Sequence, residues 1–238
     1  MNNGFVIVAT KSVKFYEQAV LCANSLLGFY PEAKITLFTT KNLFNSIHGE
    51  LFDQVNLDTP DEERGKIWGM ANTPYDLTLY LDGDCVIQSE EIKQVFSNIK
   101  DYDMLWTAIT EERSHAYNYT NGSPTNFGEG SVGVHGGVCL YKYTAKKFFM
   151  DWYKLDKKIR QREWWPDAEK YNPNFRQWDQ FSLWWLMNKE WDKYKRYLMW
   201  GFFENDAKWN YLQSYDKSKI DLKGEEIVIF HYSGLMNG

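Results

Sequence analysis

Apolar and polar positions fall in blocks over the first hundred residues, and the blocks change period. Residues 5–10 (FVIVAT) are a short, almost unbroken apolar run, the pattern of a strand buried on both faces. Within residues 16–28, Ala19, Val20, Ala23, Leu26 and Leu27 recur at intervals of three and four and Gly28 follows, so the spacing predicts a helix with a C-terminal stop. Pro31 turns the chain. Residues 34–39 (KITLFT) and 54–57 predict a second and a third strand, and residues 61–72 a helix that stops before Pro74. A strand over 77–81, a helix over 90–99 and strands over 103–109 and 136–143 follow. Thr144 reads as the cap of a helix reaching about Asp156, Asp179 opens another helix, and residues 225–230 (EEIVIF) form a last apolar strand.

Regular alternation of strand and helix predicts an α/β fold with a mostly parallel sheet covered by helices on both faces. In such sheets ligands bind beyond the carboxyl ends of the strands. Residues 111–135, rich in Gly, Ser and Asn, are too long for an ordinary connection and read as a functional or disordered loop. No internal repeat, low-complexity tract or interdomain linker interrupts the 238 residues, which predicts a single domain.

Composition changes this picture in two places. Aromatic residues make up 18%, with 11 Trp, more than a core of this size needs, so some rings are expected on a surface or in a cleft where they can stack on sugars or bases. A net charge of −5 and the lack of a basic face exclude a nucleic-acid backbone as the main partner. Lys146, Lys147, Lys154, Lys157 and Lys158 lie at helical spacing and read as a solvated helix face. The three cysteines show no metal-type spacing and read as reduced thiols. With no leader read at the N-terminus and no apolar run of about 20 residues, the expected location is cytoplasmic, without a membrane span.

The candidate chemistry begins at residues 79–86, LYLDGDCV, where Asp82 and Asp84 flank Gly83 at the end of a buried strand. A polar turn is one reading. Two carboxylates so close repel each other beside a low-dielectric core, and a shared cation removes that cost. Hard oxygen ligands in an open site suit Mn²⁺ or Mg²⁺ held jointly with a diphosphate. A second reading is the Asp-x-Asp of haloacid-dehalogenase-like phosphatases, with Asp82 as nucleophile. That motif normally ends the first strand of its domain, whereas here two strand–helix units precede it, and no late acidic pair follows. Neither of the common glycine-rich phosphate loops is present, which leaves Lys66 as a candidate to neutralise phosphate.

A third reading rests on resemblance. The stretch KIWGMANTPYDLTLYLDGDCVI, through Lys66, Trp68, Tyr75, Asp76, Asp82 and Asp84, resembles the segment before and through the Asp-x-Asp of glycogenin-like, family 8 nucleotide-sugar glycosyltransferases. Residues 6–40 look like that family's first strand, uridine-binding turn and helix. HGGVCLYK (135–142) resembles its donor-sugar strand, with His135 and Gly136 where Asn and Ser are usual. WDQFSLWWLMNK (178–189) is similar to its Asp-Gln-x-x-x-Asn helix, and HYSGLMNG (231–238) to its closing His-x-x-Gly segment, although Leu-Met-Asn-Gly follows Gly234 in place of Lys-Pro-Trp.

The resemblance implies a single GT-A domain, with a nucleotide-binding half over about 1–110 and a donor-sugar and acceptor half over about 111–238. It implies transfer of a sugar from a UDP-sugar to an acceptor hydroxyl of a carbohydrate or glycoconjugate, with retention of configuration. Ala9 and Thr10 would lie against uracil and Tyr16 would stack on it; Lys66, Asp82, Gly83, His135, Gly136, Gly137 and Gly234 would contact the nucleotide sugar. Asp82, Asp84 and His231 would hold the metal. Asp179, Gln180 and Asp103 are the catalytic candidates; for Asp179 the other reading is a first-turn helix acid. Trp164, Trp165, Trp178, Trp184 and Trp185 are candidates for an acceptor platform, and the 111–135 loop for a lid. A non-catalytic sugar-binding module is the remaining alternative.

Overall fold

The computed structural model describes residues 1–108, 133–166, 171, 173–213, 220 and 222–232. Its centre is a seven-stranded sheet. The strands are β1 (Asn3–Val8), β2 (Ile35–Phe38), β3 (Gln54–Asn56), β4 (Leu77–Leu81), β6 (Met104–Ala108), β7 (Val134–Lys142) and β8 (Trp200–Phe202). Their spatial order is β3-β2-β1-β4-β7-β6-β8. The four strands from β3 to β4 run parallel; β7 is antiparallel to both β4 and β6, and β8 pairs parallel with β6.

The unbroken apolar runs follow from burial on both faces. In β1, Phe5 and Ile7 belong to the cluster under helix α1 (Val13–Phe29), while Val6 and Val8 belong to the opposite cluster, which includes Ile67 and Met70 of α2 (Gly65–Ala71) and Phe148 and Trp152 of α3 (Lys146–Arg160). Helix α4 (Asp179–Lys189) packs against α3 and β7. Glycine lets α2 approach the sheet: a Cβ on Gly69 would sit 2.6 Å from Val8 Cγ2.

The chain forms β2 and β3 on one side of β1 and β4 on the other, so strand order reverses between β1 and β4. Residues just beyond their carboxyl ends, Thr10 and Asp82, therefore face a common crevice. A second sheet closes it. Strand β5 (Cys85–Ile87) leaves the Asp82–Asp84 turn and pairs antiparallel with β10 (Ile229–His231), which also pairs parallel with β9 (Tyr211–Leu212).

Several boundaries differ from the sequence pattern. Helix α1 begins at Val13, because the Ser12 side chain accepts a hydrogen bond from the Phe15 amide, and it runs past Gly28 to Phe29. The 61–72 helix is only Gly65–Ala71, and Glu90–Ile99 is a 3-10 helix. Thr144 does not cap α3: a 3-10 turn, Tyr143–Ala145, precedes that helix, and the Thr144 hydroxyl donates to Asp103 Oδ1 at 2.8 Å. The short strands β5, β8 and β9 and the one-turn helix α5 (Asp206–Trp209) carry too few residues to show a period.

Candidate active site

Strand β4 ends at Leu81, and Asp82 begins a turn in which its carbonyl accepts from the Cys85 amide at 3.0 Å. The turn reverses the chain into β5, and register does the rest. His231 lies opposite Cys85, and the Tyr232 amide donates to the Asp84 carbonyl at 2.9 Å. Ligand atoms of Asp82, Asp84 and His231 consequently lie within 4.8 Å of one another. His231 Nε2 is 3.0 Å from Asp84 Oδ1 and 3.9 Å from Asp82 Oδ2. On the far side of the ring, Nδ1 meets Asn210 Oδ1 at 2.8 Å, the outer-shell arrangement that aims Nε2 at a metal.

Two carboxylates and one imidazole are a donor set that fits a small divalent cation and leaves coordination positions for a ligand's oxygens. The approach is tight. A Cβ on Gly137 would fall 2.5 Å from His231 Cε1 and 2.9 Å from Asp82 Oδ2, so only glycine fits where β7 passes the three ligands.

A second group of charges adjoins them. Lys66 Nζ lies 2.8 Å from Asp179 Oδ2 and 3.2 Å from Asp82 Oδ1, and Arg64 Nε is 3.7 Å from Asp179 Oδ1. The Tyr80 hydroxyl donates to Asp82 Oδ1, and Arg64 donates to the Gln177 carbonyl. Burial opposes the charge on Lys66, but Asp179 and then Asp82 outweigh it and hold the ammonium above its ordinary value. Burial likewise opposes the Asp179 carboxylate, but Lys66 and then Arg64 prevail and hold it well below the carboxylate range. For Asp84, burial is outweighed by the hydrogen bond and charge of His231, and the net direction is down.

The cavity in front of these groups, about 210 Å³, is lined by Thr10, Phe15, Arg64, Lys66 and the Asp82–Asp84 turn. Along Gly83 and Asp84 it adjoins a mainly apolar hollow of about 610 Å³ floored by Leu21, Val86 and Tyr232.

The structure therefore gathers Thr10, Lys66, Asp82, Gly83, Asp84, Gly137, Asp179 and His231 at one crevice. His135 joins them through Asn210, whose Nδ2 lies 3.0 Å from His135 Nδ1. Gly136 and Gln180 are adjacent, but the Gln180 amide is committed to β7: Oε1 accepts from the Gly136 amide at 3.0 Å, and Nε2 donates to the Val134 carbonyl. That end of β7 is irregular, since Trp106 pairs with Cys139 and Thr107 with His135. Gln180 supplies bonds that the bulge takes away from the ladder.

Two expectations, those for Asp103 and Tyr16, need correction. Asp103 stands level with Lys142 and Leu77, at the amino end of the strands, where it accepts from Thr144 and from the Met199 amide. Asp82 lies five residues further along, about 16 Å away. Tyr16 is buried, its hydroxyl bonded to the Asn45 backbone at 3.1 Å, so its ring is part of the core; its neighbour Phe15, half exposed, lines the cavity instead. Ala9 is buried and its amide is bonded to the Phe38 carbonyl. The tryptophans 164, 165, 178, 184 and 185 pack with Phe181 and Tyr171 into a cluster of their own, Trp165 stacking on Phe181 at 4.7 Å. Gly234 and residues 111–132 of the suggested lid lie outside the described residues.

Sequence reasoning missed Asn210, Arg64, Tyr80 and Phe15. Tyr80 shares a face of β4 with the position of Asp82, two residues on, whereas Arg64 precedes the first turn of α2, where spacing gives no sign of its direction. Asn210 follows a one-turn helix and carries no local signal.

No family model matches the chain, and no curated protein matches it. Solved structures do. The galactosyltransferase LgtC, crystallised with donor and acceptor sugar analogues, superposes with a TM-score of 0.59 at 14% identity over 98% of this chain and 87% of its own. The glycosyltransferase GlyE of Streptococcus pneumoniae TIGR4 gives 0.59 at 16% over 98% of this chain and 55% of its own. Mouse xyloside xylosyltransferase 1 gives 0.54 at 11%, covering 98% of both. At such identities the likeness carries the fold, and the chain has the GT-A fold of these glycosyltransferases.

Proposed function

We propose that the protein is a metal-dependent glycosyltransferase that moves a sugar from a UDP-sugar to an acceptor hydroxyl with retention of configuration. One observation carries the reading. At the strand-order reversal of a GT-A fold, residues far apart in the chain converge so that His231 Nε2 and the carboxylates of Asp82 and Asp84 face one point. Nothing observed favours the phosphatase reading, in which Asp82 would need freedom to attack; here it is engaged by Lys66 and Tyr80.

Asp82, Asp84 and His231 would hold Mn²⁺ or Mg²⁺, which supplies Lewis-acid stabilisation and orientation of a diphosphate. The chain's own groups do the rest. Phe15 offers a half-exposed ring to the base beside Thr10, and Lys66 and Arg64 supply positive charge where no glycine loop exists. In the transfer, the bond between the anomeric carbon and the diphosphate oxygen breaks, leaving its electron pair on that oxygen. The acceptor oxygen bonds to the carbon, and its proton passes to the departing oxygen. Asp179 is held ionised by Lys66 and Arg64. Its negative charge suits a carbon that becomes cationic as the bond lengthens, and it keeps Lys66 in place.

Thermal unfolding with UDP tests the reading. Stabilisation of about 2.7 kcal/mol is expected at a hundredfold excess over Kd, with Mn²⁺ or Mg²⁺ present and not without. Asp84→Asn should abolish the metal requirement together with the shift. Release of UDP from one member of a nucleotide-sugar panel identifies the donor. Stabilisation by free sugars alone, with no UDP effect, would instead support a binding module.

A further inference from the structure

The hydrogen-bond directions around Asn210 can be solved from one fixed point. A backbone N–H can only donate, and that of Gly137 points at His135 Nδ1 at 3.1 Å. His135 Nδ1 is therefore an acceptor and carries no proton. Asn210 Nδ2 lies 3.0 Å from the same nitrogen and 2.8 Å from Thr107 Oγ1, so the group facing His135 must be the amide's donor end. This excludes the flipped amide, in which a carbonyl oxygen would confront the His135 lone pair. With Nδ2 turned to His135, Oδ1 faces His231 Nδ1 at 2.8 Å, and that nitrogen must carry a proton. The other ring nitrogen, Nε2, is then the one turned toward Asp82 and Asp84.

We infer that Asn210 is a positioning residue: with His135 it forms a donor–acceptor relay from the Gly137 amide to His231, and this relay fixes His231 in the tautomer that can ligate a cation. The inference rests on the metal reading of the site and assigns the task of orienting His231 to Asn210, which lies on the ring's Nδ1 side, away from the carboxylates. Burial makes the relay stiff. Asn210 is 1% exposed, His231 3% and His135 8%, so water has little room to replace a lost partner. The two imidazoles also brace each other edge to face, 5.4 Å apart. With Nδ1–H engaged, Nε2 stands 3.0 Å from Asp84 Oδ1, a contact satisfied either by a proton on Nε2 or by a cation that takes its place.

Titration calorimetry with Mn²⁺ alone separates this role from a packing role. Asn210→Leu removes the acceptor, and Mn²⁺ affinity should fall ten- to hundredfold. Asn210→Asp still accepts from Nδ1–H but sets an oxygen against the His135 lone pair, so its affinity should fall clearly less than that of the leucine variant. His135→Phe frees the amide to turn and should lower affinity in the direction of the leucine variant. Unchanged affinity in Asn210→Leu, or equal losses in the leucine and aspartate variants, would overturn the relay. Should the position-210 variants not fold, ¹⁵N shifts of the parent protein decide. At about pH 9, above the ordinary imidazole value of about 6.5, His135 Nδ1 should be unprotonated and Nε2 protonated; the reverse would overturn the proposal. That measurement needs neither metal nor nucleotide. A parent protein that binds no Mn²⁺ would sink the metal reading, whereas a parent that binds Mn²⁺ and a leucine variant that binds it equally well would sink the relay alone.

Discussion

At the scale of single residues, the site is built from groups that would be costly alone and are stable together. Asp179 shows this most directly. Its folded-state value is depressed by Lys66 and Arg64, so it contributes stability above the unfolded carboxylate value of about 3.9 and loses that contribution as pH falls toward the lower folded value. Asp179→Asn leaves two partly buried cations short of a partner and should destabilise the protein by about 1–3 kcal/mol near pH 7. The difference from the parent should shrink as the medium is acidified below about pH 4, which urea unfolding at two pH values would check. A gap that stays constant would mean that the carboxylate is not held by these cations. Gly137 makes the complementary point about space. Gly137→Ala drives a methyl into His231 and Asp82 and should cost about 1–3 kcal/mol while weakening Mn²⁺ binding, both readable in one thermal-shift series with and without metal. Asp82 and Asp84 stood out in the sequence because they end a strongly patterned strand, and His231 because it follows another; Lys66 was singled out by the resemblance and by the lack of a glycine-rich phosphate loop. Asp103 and Tyr16 misled for a physical reason. A residue's position along an element does not reveal which end of the sheet, or which side of the helix, it will occupy.

At the scale of elements, what matters is how β7 is held at the crevice. Strand β7 carries the His-Gly-Gly run, yet its ladder to β6 breaks there, and Gln180 of α4 takes over its Gly136 amide and Val134 carbonyl. Gln180→Leu would leave two buried backbone groups without partners, at about 1–3 kcal/mol each. The expected result is a fall in the unfolding midpoint comparable to a core truncation, with the UDP-induced shift reduced because His135 moves with the strand. A normal midpoint with lost turnover would instead assign Gln180 a direct part in the chemistry. The central strands were legible because burial on both faces leaves nearly pure apolar runs, and α1 because its apolar positions recur at three and four. The bulge was not, since two glycines and a histidine in a strand give no sign of the partner strand's register. Nor was the small sheet. Its strands have two or three residues each, too few for a period, and their pairing is decided by tertiary contacts.

At the scale of the whole molecule, the candidate metal centre is a closure device. The Asp82–Asp84 turn comes from the first half of the chain and His231 from its far end, and the two meet only because β10 docks between β5 and β9. The docking is apolar work. Val228 and Ile229 are fully buried in the cluster beneath α1, and each is worth about 1.5–3 kcal/mol of transfer free energy. His231 adds a directional contact, the bond to Asn210, worth about 1 kcal/mol. Folding and ligation should therefore separate by mutation. His231→Ala should remove Mn²⁺ binding while costing only about 1–2 kcal/mol in the metal-free protein, because β10 stays docked. A chain ending at residue 225 should lose Mn²⁺ binding and several kcal/mol besides, with increased exchange along β5, where the Gln88 amide loses the Val228 carbonyl it donates to. Hydrogen exchange on the two variants distinguishes them. Protected β5 amides in the alanine variant and exposed ones in the shortened chain would show that apolar burial brings the ends together and that the imidazole is delivered by that docking. Equal exposure in both would mean that the Asn210–His231 contact itself holds the strand, and that the acidic turn and the last strand assemble as one unit.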